Sequence, residues 1–175
     1  MRRLMLLRHG KSGWPAGVPD HERPIAERGR RASRAMAHHM VASGLQPERV
    51  VVSPALRTRQ TWEIVGQVFS PAPSVVFEPA IYEAEAARIL TIVRGLPDEV
   101  ERVLLVGHNP GLQDLALLLV GEGDAEAMAR LKGKYPTAGL AVLDLPGKRW
   151  NDADEGRAIL KRFDTPRSIE TDEPI

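Results

Sequence analysis

The sequence predicts an α/β protein in which a mostly parallel sheet lies between layers of helices. Short apolar runs alternate along the chain with longer segments of helical composition, the pattern of strands joined by crossover helices. The runs are apolar throughout, as expected of strands that are covered on both faces. With 175 residues, 43% of them hydrophobic, the chain is long enough to form one full core.

The first strand and helix are separated by a long loop. An apolar run at 3–8 predicts the strand, and the proline and glycine residues of 11–24 predict the loop. A helical segment follows at 26–43, with small and apolar residues along one stripe. Gly44 suits the position just after its last turn, where the backbone often turns left-handed.

The second and third strands follow with a helix between them. "RVVVS" at 49–53 predicts a buried strand. Ser53 and Pro54 then resemble a helix N-cap and a first-turn proline, so a helix is expected to run to about Phe69. A turn rich in proline leads to the third strand, "VVFE" at 75–78.

The second half of the chain predicts further helices and strands. The helical segments are 83–96, "PGLQDLALLLVG" after Asn109, and 124–131; the strands are 102–107, 139–145 and 158–163. The last two strands are close enough in sequence to form a hairpin. We expect one domain at 1–163 and a flexible polar tail at 164–175.

Composition excludes several classes of function. The net charge of +1 argues against a nucleic-acid-binding protein. The chain has no cysteine, which excludes disulfides, thiolate metal sites and cysteine-dependent catalysis. No apolar run reaches the ~18 residues of a membrane span. The apolar run near the N-terminus is also shorter than the ~7–15 residues of a signal peptide, so we expect a cytoplasmic protein without a membrane partner.

The stretch "LLRHGKSGW" at 6–14 contains two competing phosphate motifs. "GKS" resembles the end of a nucleotide-binding P-loop, but Met5 stands where that motif needs its first glycine, relative to Gly10. The sequence after it, "GWPAGVP", also lacks the helix whose N-terminus faces the phosphates. The alternative is a pair of functional residues, Arg8 and His9, at the end of the first strand.

Two other segments place similar residues at the ends of strands. Arg57 in "SPALRTRQT" follows the second strand, and His108 in "LLVGHNPG" follows the fourth. These positions meet Arg8 and His9 at the carboxyl edge of a parallel sheet, where ligands bind. Guanidinium groups match phosphate oxygens, and a neutral histidine can attack phosphorus. The two arginines should lower the pKa of His9 and keep it neutral, while Gly10 allows a ligand close to the backbone.

These segments resemble the signature motifs of the histidine phosphatase superfamily, which has the phosphoglycerate mutase-like fold. "RPIAERG", "IYEAEA", "LPDEVERVLLVGHNPGL" and "YPTAGLAVLDL" resemble, more narrowly, the small bacterial phosphohistidine phosphatases of the SixA type. The resemblance extends from residue 3 to about residue 145.

The resemblance implies a fold, a site and a mechanism. The fold would be a three-layer α/β/α sandwich. His9 would be the nucleophile that is transiently phosphorylated, and Arg8, Arg57 and a protonated His108 would bind the phosphate oxygens. No metal or organic cofactor is implied.

A proton donor for the leaving group is less clearly marked. Glu83 in "IYEAEA" is the best candidate, and the alternative is a solvated acid at the start of a helix. A dedicated acid matters less if the substrate is phosphohistidine, because its imidazole can leave as a neutral ring after protonation from solvent.

Further residues are candidates for binding the phosphate. Arg23 would border the pocket from the long loop, and Ser12 and Thr137 would donate hydrogen bonds. Each has an alternative structural role, in the loop, in a turn or at the entry to a strand. The full predicted substrate-binding set is Arg8, Gly10, Ser12, Arg23, Arg57, His108 and Thr137.

The leading hypothesis is a phosphatase for phosphohistidine in a protein, for example a histidine phosphotransfer domain of a signalling relay. Residues 70–82 are too few for the lid that covers the pocket in relatives acting on small phosphates, so an open pocket is expected. A phosphatase for small phosphate esters is the alternative. A phosphate-binding module without turnover is the third, and the complete set of motif residues argues against it.

Overall fold

Residues 1–170 are described by a computed structural model, and a seven-stranded mixed sheet forms its centre. The strands are β1 (Arg2–Arg8), β2 (Arg49–Val52), β3 (Ser74–Phe77), β4 (Arg102–Gly107), β5 (Val120–Gly123), β6 (Leu140–Leu145) and β7 (Ala158–Asp164). Their order across the sheet is β3-β2-β4-β1-β6-β7-β5. Strand β6 is antiparallel to β1 and β7, and the other neighbours in the sheet are parallel.

Helices cover both faces of this sheet. They are α1 (Glu27–Ala42), α2 (Leu56–Val65), α3 (Ala86–Arg94), α4 (Gly111–Leu119), α5 (Ala125–Gly133) and α6 (Pro166–Glu170). Successive residues of β1 point to opposite layers: Leu4 and Leu6 join the core formed with α3, α4 and α5, and Met5 and Leu7 join the core formed with α1, α2 and α6. The predicted three-layer sandwich with a mostly parallel sheet is confirmed.

The helix after β2 begins later than predicted. Ser53 continues the extended chain, since its N–H donates to the carbonyl of Val106 at 3.1 Å. Ala55, with φ −57° and ψ 144°, precedes the first helical residue, Leu56. Ser53 and Pro54 are therefore not the cap and first turn of the helix, and the Ser53 side chain is free for another contact, described below.

A strand replaces the predicted end of the fourth long helix. Helix α4 ends at Leu119, and β5 pairs in parallel with β7. At Gly121 a Cβ would lie 2.0 Å from the carbonyl oxygen of Gly156, so only glycine permits this approach. The run "ALLLVG" is apolar throughout, and its periodicity alone does not separate a helix from a buried strand.

The end of the chain is packed against the body of the protein where a tail was expected. Asp164 is the last residue of β7, and α6 follows directly. Ile169 of α6 is buried in the core below α1. The expected flexible tail therefore does not hold for 164–170, and residues 171–175 lie outside the described part of the chain. The tail was expected from polar composition, which does not reveal that one apolar residue finds a tertiary partner.

The helices within residues 1–170 are short. Helix α1 is the longest, at 16 residues, and it has polar residues along its exposed face. No helix in this part of the chain has the length and hydropathy needed to cross a membrane.

Candidate active site

Three separate segments meet in one pocket at the carboxyl ends of β1 and β4. Arg8 is the last residue of β1 and His9 follows it, Arg57 lies in the first turn of α2, and His108 follows β4. The rings of His9 and His108 are 5.4 Å apart between centroids. The pocket has a volume of about 210 Å³, and its lining residues are Arg8, His9, Lys11, Ser12, Trp14, Arg23, Arg57, His108, Asn109 and Thr137.

His9 is buried and held in one orientation. Its Nδ1 lies 2.7 Å from the carbonyl oxygen of Gly10. A carbonyl can only accept, so Nδ1 carries the proton and the lone pair of the neutral ring is on Nε2. Burial, with smaller contributions from the positive charges of Arg57 and Arg8, lowers the pKa of His9 to about 4. The neutral state was predicted from the arginines alone, and burial has the larger effect.

His108 is anchored by the serine that follows β2. Its Nε2 lies 2.7 Å from Oγ of Ser53. Burial and the neighbouring His9 and Arg57 lower the pKa of His108 to about 3. The expected protonated His108 is therefore not supported by its surroundings in this structure, which favour the neutral ring at pH 7. Its Nδ1 is buried and has no hydrogen-bond partner among residues 1–170.

Arg8 is fixed by the backbone carbonyl of Tyr135. Its Nη1 donates to the carbonyl of Tyr135 at 2.8 Å. Tyr135 is itself fully buried, and its hydroxyl donates to the carbonyl of Leu6 in β1. The Arg8 guanidinium is thereby held against the strand from which it extends.

A carboxylate that the sequence analysis did not single out organises the other two arginines. Nη1 and Nη2 of Arg57 donate to the carbonyl oxygen and Oδ2 of Asp20, at 2.8 and 3.1 Å. Nε of Arg23 donates to Asp20 Oδ1 at 3.0 Å, and the Tyr82 hydroxyl donates to Oδ2. The hydrogen bond from Tyr82 and those from both arginines hold the pKa of Asp20 well below its usual range. An acid three residues before Arg23 in a proline-bounded loop was the available signal, but its partner Arg57 is distant in sequence.

The smaller predicted contacts divide into two groups. Ser12 and Thr137 both line the pocket, and Ser12 Oγ accepts a hydrogen bond from Arg23 at 2.8 Å. Gly10 serves packing instead: its added Cβ would lie 2.8 Å from the carbonyl oxygen of Gly29 in α1. Close packing of α1 is thus one reason for glycine at this position, and the approach of a ligand to the Gly10 backbone stays a prediction.

The predicted proton donor lies outside the pocket wall. Glu83 is exposed and has a φ of 57°, in the left-handed region. Tyr82, its neighbour, faces the pocket rim, where its ring lies 5.6 Å from that of His108. Burial and the Asp20 carboxylate raise the pKa of Tyr82 to about 12. The left-handed turn at Glu83 was not visible in the sequence, where the segment was assigned to a helix.

A scan against protein families matches residues 4–89 to the histidine phosphatase superfamily, branch 1. The phosphohistidine phosphatase SixA of Escherichia coli is 31% identical over 109 residues, which cover 61% of this chain and 67% of that protein. The chain belongs to the histidine phosphatase superfamily, and the enzyme is a phosphatase.

Solved structures give a narrower likeness within this family. A candidate phosphohistidine phosphatase SixA from Agrobacterium tumefaciens matches with a TM-score of 0.80 and 30% identity, covering 94% of this chain and 98% of that one. The protein histidine phosphatase SixA complexed with tungstate matches with a TM-score of 0.77 and 25% identity, over 95% and 99% of the two chains. The protein is therefore similar to the SixA phosphatases over almost its whole length.

Proposed function

We propose that this phosphatase removes phosphoryl groups from histidine in a phosphorylated protein, through a covalent intermediate on His9. The observation that supports this most directly is the state of His9. Its Nδ1–H is committed to the Gly10 carbonyl and its pKa is lowered to about 4, so Nε2 presents a lone pair at neutral pH. A protonated ring could not attack phosphorus.

In the first step, Nε2 of His9 attacks phosphorus in line with the bond that breaks. The new N–P bond forms on His9, and the P–N bond to the substrate histidine is broken. Arg8 and Arg57 hold the phosphoryl oxygens and offset the negative charge. In this proposal the Ser53 hydroxyl donates to Nε2 of neutral His108, and the ring proton is on Nδ1, which has no partner within residues 1–170 and donates to a phosphoryl oxygen.

The leaving group is the substrate imidazole, and its proton is already present. When the second ring nitrogen of phosphohistidine is protonated, loss of the phosphoryl group yields neutral imidazole. This fits the surroundings of the pocket, where Glu83 is exposed and outside the wall. Asp20 has a lowered pKa and remains ionised, so it is not a proton donor at neutral pH.

In the second step, water attacks the phosphorus of phospho-His9. The N–P bond breaks, its electron pair returns to Nε2, and phosphate is released together with the protons of the attacking water. The hydrogen bond from Nδ1–H of His9 to the Gly10 carbonyl is kept through both steps, so His9 returns to its starting tautomer. The phosphoryl group thus passes from the substrate to His9 and then to water without a change in the protein's other protons.

The size of the pocket supports a protein substrate. Its volume of about 210 Å³ lies below the ~300–1,000 Å³ of sites that enclose a whole small molecule. A phosphoryl group fits inside, and the rest of the substrate lies at the mouth. Trp14, which is 76% exposed, lies at this mouth and is available for contact with a large partner.

The proposal is tested by comparing turnover of phosphohistidine and phosphate esters. We expect higher kcat/KM for free phosphohistidine and a histidine-phosphorylated domain than for p-nitrophenyl phosphate and sugar phosphates. Rapid acid-free quenching should trap a phosphoenzyme that is labile to acid. His9→Ala should abolish both signals, and His38→Ala, an exposed histidine of α1, should leave them unchanged. Preference for the esters would assign the enzyme to small phosphate esters instead.

A further inference from the structure

An exposed surface surrounds one side of the pocket mouth. We define the mouth surface as Lys11, Trp14, Val18, Arg28 and Arg31. Trp14 is 76% exposed and Val18 is 37% exposed, although both are apolar. Lys11 and Trp14 also line the pocket, so the surface is continuous with the candidate active site.

Trp14 is exposed but not loosely held. The guanidinium carbon of Arg23 lies 3.4 Å from the centroid of its ring. Arg23 is buried and is fixed in turn by Ser12 and the Asp20 carboxylate. One face of the indole therefore rests on an anchored cation and the rest is open. Rigid, exposed tryptophan is typical of the central contact in a protein interface.

The start of α1 packs closely against the segment that holds Lys11. The first turn of α1 contacts the backbone of Lys11 so closely that a Cβ on Gly29 would lie 2.3 Å from the Lys11 carbonyl oxygen. Arg28 and Arg31 lie on the exposed side of the same part of α1. The start of α1, where both arginines are exposed, therefore lies against the segment of Lys11, which lines the pocket.

In the described part of the chain the cations of the mouth surface have no ion-pair partner, and the two arginines do not stabilise the helix that holds them. The side chains of Lys11, Arg28 and Arg31 have no ion pair or hydrogen bond within residues 1–170, whereas Arg34 pairs with Glu27 at 3.5 Å. Arginines at the start of a helix also oppose its dipole, which favours acids there. In a chain with a net charge of +1, these three side chains therefore carry positive charge that no acid within residues 1–170 pairs directly.

We propose that the mouth surface docks an acidic face on the protein substrate, with Trp14 at the centre of the contact and the cations around it. The proposal rests on the proposed function, because the docked protein is the one that carries the phosphohistidine. Complementary charge speeds association and selects partners, and acts most strongly at low salt. The mouth surface therefore determines which phosphoproteins are dephosphorylated, whereas the pocket determines the bond that is broken.

The test compares two substrates with the same scissile bond. One is an acidic histidine phosphotransfer domain that has been phosphorylated with potassium phosphoramidate, and the other is free phosphohistidine. For the double variant Arg28→Glu/Arg31→Glu we expect kcat/KM on the domain to fall on the order of tenfold at low salt, with a smaller fall at high salt. Turnover of free phosphohistidine should be unchanged, which also shows that the variant is folded.

A matched control changes the same charge elsewhere. Arg88→Glu/Arg157→Glu lies on exposed residues outside the pocket, and it should leave both substrates unaffected. Equal kcat/KM on the domain for wild type and Arg28→Glu/Arg31→Glu would overturn the docking proposal, as would an equal loss on both substrates. Inhibition by single-stranded DNA that depends on the two arginines would assign the surface to nucleic acid and would also overturn it. Failure of the wild type to turn over either substrate would instead contradict the proposed function.

Discussion

The two buried histidines should make the folded state sensitive to mild acid. The pKa of His9 is lowered to about 4 and that of His108 to about 3, against 6.5 for an unperturbed histidine. Below pH 6.5 the unfolded chain therefore binds protons that the native protein does not. Stability is fully present above pH 6.5 and decreases as the pH falls towards the native pKa values.

The size of the effect at pH 5 follows from these values. At pH 5 the pH lies about 1.5 units below the pKa of a histidine in the unfolded chain, and each unit corresponds to about 1.36 kcal/mol. Because both native pKa values lie below 5, neither histidine recovers much of this by protonating in the native state. Each histidine therefore lowers the free energy of unfolding by about 2 kcal/mol between pH 7 and pH 5, and the pair by about 4 kcal/mol.

Urea unfolding at pH 7 and pH 5 measures this difference directly. His9→Asn removes the titrating ring and keeps a side-chain amide that can donate to the Gly10 carbonyl. The variant should lose about 2 kcal/mol less than the wild type between the two pH values, because it lacks the histidine that binds a proton at position 9 only in the unfolded chain. An identical pH-dependent loss in wild type and His9→Asn would refute the assignment of His9 as a buried neutral histidine.

Two further substitutions test the arginine positions and the end of the chain. Arg57→Lys keeps the charge but cannot donate to both oxygens of Asp20, so kcat/KM should fall about tenfold or more, while Arg59→Lys on the same helix should retain activity. Steady-state assays of the two variants check this, and equal activity would contradict the role of the paired hydrogen bonds from Arg57 to Asp20. Ile169→Ala should lower the free energy of unfolding by about 2–4 kcal/mol, because Ile169 is buried under α1. Urea denaturation checks it, and a change below about 0.5 kcal/mol would show that α6 contributes little to the folded state.

The sequence predicted the central strands well because their signals are local. The apolar runs of β1, β2 and β4 are buried on both faces, and this is the pattern that identifies them. The boundaries between elements were less accurate. Ser53 has the residue type of a helix cap, but tertiary contacts extend the strand and bring its hydroxyl to His108.

The residues of the pocket were also predicted only in part. Arg8, His9, Arg57 and His108 follow predicted strands, so the parallel sheet alone brings them to one edge. Asp20 was missed, because nothing in its own loop indicates that a guanidinium from α2 will lie beside it. Glu83 stays a prediction as proton donor: it is exposed in a left-handed turn that the sequence had assigned to a helix, and the neighbouring Tyr82 contacts Asp20.

The sequence by itself therefore determined the α/β class, the family motifs and the side chains available for phosphate chemistry. These depend on hydrophobic patterning and on residue types at the ends of strands, which are written in short segments. Only the tertiary structure determined the protonation, the orientation and the surroundings of these side chains. Burial lowers the pKa of His9 and His108, Asp20 orients Arg57, and the start of α1 packs against the Lys11 segment of the pocket. Each depends on contacts between segments that are distant in the chain, so no local pattern records it.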